Sequence, residues 1–248
     1  FATCRSKSDC NFFKNLGIES FPLDLLEEES INRAVNLVKD KTKSRLDALY
    51  NNGAYAIPGA IQDIPRSAIR EIFEVNVFGQ IDLINKCIPL MMSSDNPKII
   101  NCSSVLGFIS LPYRGLYSAT KYSIEALTDA LRRENIDSKI KFVLIQPGPI
   151  NTEIKKKSIK HFEKWIDWKK SNHKKTYETK VIKRLYDYNY KDSFNNYELQ
   201  PDAVTKILIK VLNSKKPKAR YQITTQTKIA QIMIKLLPTN ILDWIFKI

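Results

Sequence analysis

The stretch Lys141-Phe142-Val143-Leu144-Ile145 has no polar residue between Phe142 and Ile145. A strand with one wet face alternates apolar and polar side chains. An unbroken apolar run needs cover above and below, the environment of a parallel sheet packed between helices. Further strands are expected at Phe1–Cys4, Ile18–Leu23, Leu46–Tyr50, Lys98–Cys102 and Arg220–Ile223. Between them lie helical patterns at residues 8–16, 28–38, 67–92, 117–135 and 202–212. Strands alternating with helices predict an α/β fold with a doubly wound parallel sheet, and 248 residues suffice for one domain with a large core.

Composition excludes several classes. No stretch approaches the ~20 apolar residues that span a bilayer, and the start has no charged segment leading into a short apolar run, so a cytoplasmic protein is expected. His161 and His173 are the only histidines, and Cys4, Cys10, Cys87 and Cys102 lack paired metal spacing. A zinc site and a His-based triad are therefore set aside, and the thiols read as buried and neutral. Forty Lys and Arg against 26 Asp and Glu give a net charge of +14, which suggests an anionic partner such as a phosphorylated cofactor. The densest basic runs, Lys155-Lys156-Lys157, Lys169-Lys170, Lys174-Lys175 and Lys215-Lys216, come with no element that reads nucleic acid, so a solvated basic surface is expected there.

Chemistry concentrates around Tyr117-Ser118-Ala119-Thr120-Lys121, at the start of a helical pattern. Tyr117 and Lys121 lie four apart and share a helix face. An ammonium beside a phenol favours the phenolate, so a lowered Tyr117 pKa and a general acid or base role are expected. The strand Lys98–Cys102 delivers Ser103 and Ser104 next to it, at the kind of strand end where open parallel sheets bind ligands. A Tyr and a Lys four apart are common on exposed helices and usually inert. The weight comes from their company: Asn51-Asn52-Gly53 after one strand, Asn76 in Val75-Asn76-Val77-Phe78-Gly79, and Pro147-Gly148-Pro149-Ile150 after another.

This set, in this order, resembles the short-chain dehydrogenase/reductase family, specifically up to about residue 155 and more loosely beyond. Lys-Pro-Lys-Ala-Arg-Tyr at 216–221 and Leu-Leu-Pro at 236–238 resemble its retinol- and hydroxysteroid-dehydrogenase-like branch. The resemblance implies a Rossmann-like fold and hydride transfer between a nicotinamide cofactor and a carbonyl or alcohol. It gives Tyr117 the proton, Ser104 the substrate oxygen, Lys121 the nicotinamide ribose, and Asn76 a water that extends the proton path. It places Asp24 and Leu25 at the adenine, Asn52 and Gly53 near a ribose, and Pro147, Gly148, Ile150 and Thr152 at the nicotinamide. Arg5, with no acid before Asp9, fits a 2′-phosphate and favours NADP(H) over NAD(H).

In the family a first strand and a Gly-rich turn precede the position of Phe1. Only seven glycines occur here, none with G-x-G-x-x-G spacing, so the sequence is expected to be a fragment lacking that segment and to bind a dinucleotide poorly as written. Residues 153–200, with Phe162, Trp165, Trp168, Tyr177 and Tyr186 among lysines, are expected to form a helical lid over an apolar substrate. Residues 225–248 form an amphipathic tail, capped in its second half by Thr239 or Asn240, that packs on the domain or a sister subunit or touches a membrane surface. The Asn76 and Tyr117 helices would build a dimer or tetramer interface, as in many relatives. Two other readings keep the fold: a sugar-nucleotide epimerase-like enzyme, and a cofactor-sensing or scaffold protein. The complete Asn76, Ser104, Tyr117, Lys121 set weighs against the second.

Overall fold

The computed structural model describes residues 1–187 and 198–247. In order these form β1 (Ala2–Cys4), α1 (Lys7–Asn15), β2 (Ser20–Pro22), α2 (Glu28–Thr42), β3 (Ala48–Asn51), α3 (Arg66–Phe73), α4 (Gly79–Met91), β4 (Lys98–Cys102) and α5 (Gly115–Glu134). Then follow β5 (Lys141–Gln146), α6 (Ile154–Trp165), α7 (Lys174–Thr176), α8 (Ile182–Tyr186), α9 (Asp202–Asn213), β6 (Arg220–Gln222), α10 (Thr225–Leu236) and α11 (Thr239–Phe246).

Every strand pairing is parallel. β3, β4, β5 and β6 lie side by side in that order, and β1 pairs with β2. Among the described residues, ladder bonds run within these two parts and none joins them. Side chains do: Leu23 and Leu25 after β2, Ile31 of α2, Leu49 of β3, and Leu83 and Cys87 of α4 form one apolar cluster. The apolar run in β5 is covered on both faces, as its pattern required. Ile99 and Phe142 pair across β4 and β5 and pack under Ile84 and Met91 of α4. Ile100, Val143 and Ile145 point the other way, onto Val211 of α9. Each such side chain contributes about 1.5–3 kcal/mol when fully buried.

The continuous helix expected from Ser67 to Met92 is interrupted. Glu74–Phe78 form a π turn between α3 and α4, with Asn76 and Val77 buried in it. One extra residue in a helical turn re-aims the side chains around it, which is why such turns gather at functional sites. Gly79, the first residue of α4, sits so close to the Leu25 backbone that a Cβ would run into the Leu25 carbonyl. α11 is preceded by Pro238 with no side-chain cap, so neither Thr239 nor Asn240 caps it.

The expected lid is in large part core. Phe162, Ile166, Tyr177, Val181 and Leu185 are buried against Ile57, Ile64, Ala68 and Ile72. The Tyr177 hydroxyl donates to Asp63 Oδ2 at 2.8 Å and accepts from the Ala60 N–H at 2.8 Å. Phe162 and Tyr177 thereby belong to the scaffold, whereas Trp165 and Trp168 are partly buried and Tyr186 is exposed. Residues 188–197 of that stretch lie outside the described residues.

A partly buried ion network closes the sheet. Arg220 of β6 reaches Glu125 Oε2 at 3.1 Å and Asp129 Oδ2 at 2.8 Å on α5, and Gln146 donates to Glu125 Oε1 at 2.8 Å. Arg220→Met leaves the Glu125 carboxylate, nearly buried, without its cation. A loss of about 1–3 kcal/mol is expected from the urea midpoint, and an unchanged midpoint would show the network to be incidental.

Candidate active site

The functional candidates sit where strands end. β1 ends just before Arg5, β2 just before Asp24 and Leu25, β3 just before Asn52 and Gly53, β4 just before Ser104, and β5 just before Pro147 and Gly148. In open α/β sheets these carboxyl ends form the binding crevice.

Around Tyr117 the structure joins four elements. Lys121 is 2 % exposed, and its Nζ donates to the Cys102 carbonyl at the end of β4, 2.7 Å away. The same Nζ lies 5.7 Å from the centre of the Tyr117 ring. Ser104 accepts the Leu106 N–H at 3.1 Å as the cap of a short 3-10 turn, which leaves the hydroxyl hydrogen to aim elsewhere. Asn76, fully buried, holds the Tyr55 backbone from both sides: its Oδ1 accepts from the Tyr55 N–H at 3.1 Å and its Nδ2 donates to the Tyr55 carbonyl at 2.9 Å. Its second amide hydrogen goes to Thr120 Oγ1 at 3.2 Å. Thr120 in turn donates to the Tyr117 carbonyl at 2.8 Å. Neither amide hydrogen of Asn76 is thus free to hold a water. The side chain ties the π turn to the first turns of α5.

The expected direction of the Tyr117 shift is reversed. Burial raises its pKa above the ordinary tyrosine value, and the neighbouring Cys102 thiol adds to the rise; Arg114 and the facing Ser104 hydroxyl oppose it. Burial likewise lowers the Lys121 pKa, against the pull of Cys102 and Glu125. A spacing of four residues shows that two groups are neighbours, but desolvation decides which protonation state wins. Tyr117 packs on an apolar cluster of Val105, Leu106, Ile109 and Ala230, which Phe108, Leu111, Ile234 and Phe246 also join.

On the cofactor side, Asn51 ties β3 to β4 by donating to Asn101 Oδ1 at 2.9 Å, which leaves Asn52 and Gly53 exposed on the rim. Gln80 donates to the Gly53 carbonyl at 2.7 Å. Ile150 forms an isolated parallel bridge with Leu199 in which the bonds run through Asn151 N and Pro149 O, so the N–H and C=O of Ile150 itself face away from that partner. Gly148 lies against the hydroxyls of Thr224 and Thr227, with no room for a Cβ. Thr152 and Arg5 are exposed, Leu25 is half-buried, and Asp24 uses Oδ1 to hold the Leu26 N–H at 3.0 Å, an Asx turn in place of a helix cap. Arg5 bears electrostatically on Tyr55 and His161.

These residues fit a nicotinamide cofactor at its reactive end. Lys121 has one acceptor bonded and two further donors, and Ile150 offers a peptide N–H and C=O at the adjacent strand end. The sequence pattern singles out neither Thr120, which links Asn76 to Tyr117, nor Gly79, which meets Leu25. Only the buried helical position of Thr120, beside Lys121, could have drawn attention to it.

Comparison with known proteins gives the family to which this fold belongs. The short chain dehydrogenase family model matches residues 8–162. An uncharacterized oxidoreductase, YbbO, of Escherichia coli strain K12 is 31% identical over 246 residues, covering 99% of this chain and 84% of that protein. An NADPH-dependent 3-dehydrocapnine reductase of Ornithobacterium rhinotracheale is 31% identical over 256 residues, covering 99% of this chain and 86% of that one. A crystal structure of a short chain dehydrogenase from Burkholderia cenocepacia J2315 in complex with NADP superposes with a TM-score of 0.72 at 18% identity, covering 99% of this chain and 85% of that one. The chain belongs to the short-chain dehydrogenase/reductase family, oxidoreductases that act on CH–OH groups on a Rossmann-like fold.

Proposed function

We propose that this chain reduces the carbonyl group of an apolar substrate to an alcohol with NADP(H) as cofactor, through Tyr117, Ser104 and Lys121. The observation that carries the reading is Tyr117 itself, a phenol protonated at neutral pH, facing Ser104, beside the buried Lys121 and packed on an apolar cluster. A nicotinamide bound at Lys121 and Ile150 supplies the hydride. The rest is the work of this chain's side chains. Ser104, its acceptor side occupied by the Leu106 N–H, donates its hydrogen to the substrate oxygen. Tyr117 donates its proton to the same oxygen as negative charge develops there. Lys121 then stabilises the phenolate left behind, at a distance of 5.7 Å from the ring centre and with little water to screen it. Asn76, through Thr120, keeps Tyr117 in position.

Arg5 at the end of β1 supports the choice of NADP(H), as do the NADPH-dependent relative and the NADP held by the Burkholderia protein. Asp24, Leu25, Asn52 and Gly53 take the adenosine half, and Pro147, Gly148 and Thr152 complete the nicotinamide side. The four cysteines are free thiols, in keeping with the reducing cytoplasm in which we place the protein. Ile69 of α3, Phe78 of the π turn and Tyr122 of α5 are exposed apolar side chains, in keeping with pairing to a second copy through these helices.

Initial rates in both directions test the reading. Reduction needs the protonated phenol, which the raised pKa keeps present across neutral pH, so a flat profile is expected. Oxidation needs the phenolate, whose share grows about tenfold per pH unit below the pKa, so its rate climbs towards alkaline pH. Oxidation that levels off near neutral pH, or no turnover of NADPH with any apolar ketone or aldehyde, would remove Tyr117 from the role.

A further inference from the structure

A surface helix of a folded domain ordinarily turns its apolar stripe inward and its polar face to water. α10 and α11 carry an apolar stripe on each side. The inner stripe, Ala230, Ile234 and Phe246, packs with Val105, Leu106 and Ile109 after β4, in the apolar cluster that Tyr117 also joins. The outer one exposes Ile229, Ile232 and Leu236 on α10, three and four residues apart, and Ile241, Trp244 and Ile245 on α11; Leu236 is 75% exposed and Trp244 67%. Large apolar side chains left exposed on both helices mark an interaction surface. Lys228 and Lys235 flank the stripe on α10, and Lys247 lies 5.7 Å over the Trp244 ring. Residues 225–247 contain one acid, Asp243.

From this we infer that the outer face of α10–α11 docks on an anionic lipid surface, the helices lying in the interface with Ile232, Leu236 and Trp244 immersed and the lysines at the headgroups. Apolar side chains rimmed by Lys, with an indole among them, match the chemistry of that interface. The sign of the charge decides between occupants. A second copy would bring another chain of net charge +14 with its own lysines to a lysine-rimmed face, whereas anionic headgroups attract both. The opposite side of the same two helices packs in the apolar cluster that Tyr117 joins, so docking sets this side of the site near the lipid. The docking itself does not depend on the reductase reading.

Cosedimentation of the full-length protein with vesicles tests this. Phosphatidylcholine vesicles with about one third phosphatidylglycerol are expected to pellet the protein at least about tenfold better than phosphatidylcholine alone, an advantage that shrinks in high salt. The double variant I232E/W244E, checked for an unchanged thermal midpoint, is expected to lose about tenfold or more of that binding. Three results would overturn the inference: wild-type protein left in the supernatant with anionic vesicles, undiminished binding by I232E/W244E, or a solution dimer that the same variant splits, which would give the face to a second copy.

Discussion

Tyr117→Phe is expected to lower kcat for carbonyl reduction by about 10³-fold while leaving the dissociation constant for NADPH within about twofold. Phenylalanine keeps the ring in its apolar cluster and removes the phenol hydroxyl that faces Ser104. The stability of the fold should hardly change, because the ring that packs on Val105, Leu106, Ile109 and Ala230 is kept. Single-turnover rates with saturating cofactor make the measurement clean. A variant retaining more than about a tenth of the wild-type rate would mean that another group, or water, supplies the proton.

Lys121→Met is expected to separate activity from stability. The buried ammonium, with the Cys102 carbonyl as its bonded acceptor at 2.7 Å, is disfavoured by burial, and its pKa is lowered accordingly. A group whose folded pKa lies below its unfolded one opposes folding at pH values under that folded pKa. The penalty fades as pH rises towards the unfolded value. Methionine fills a similar volume without charge, so the thermal midpoint of the variant should equal or exceed the wild type near neutral pH, and the gap should narrow in alkaline buffer. Turnover should fall about 10²-fold or more, with a weaker hold on the cofactor. A variant that unfolds several degrees earlier at neutral pH would show that the Cys102 contact outweighs the desolvation.

Much of this arrangement was legible in the residues. The unbroken apolar run in β5 could only be a strand covered on both faces, and Ile99, Ile100, Phe142 and Val143 divide between α4 and α9 as that demands. Tyr117, Lys121, Ser104 and Asn76 were readable because each occupies a fixed place relative to a strand end or helix start. Other features depend on contacts between distant parts of the chain, which no local pattern encodes. Nothing around Glu74–Phe78 distinguishes a π turn from an α turn. The aromatics of residues 153–187 look alike whether they face a substrate or Ile57 and Ile72, and only the fold shows Tyr177 hydrogen-bonded to Asp63. The sign of the Tyr117 shift was missed for the same reason: proximity to Lys121 can be counted along a helix, but burial cannot.

The wide turn at Glu74–Phe78 gives the length of this segment a meaning that its composition lacks. Each residue of a helix advances the face by about 100°. Asn76 reaches Tyr55 and Thr120, and Gln80 reaches Gly53, because the segment carries one residue more than a regular helix would use. The chain therefore keeps its count here as a gear keeps its teeth. Conservative replacements along the outer side should pass unnoticed, whereas adding or dropping a single residue would rotate one half of the α3–α4 rod against the other and uncouple the β3 crevice from the helix that carries Tyr117.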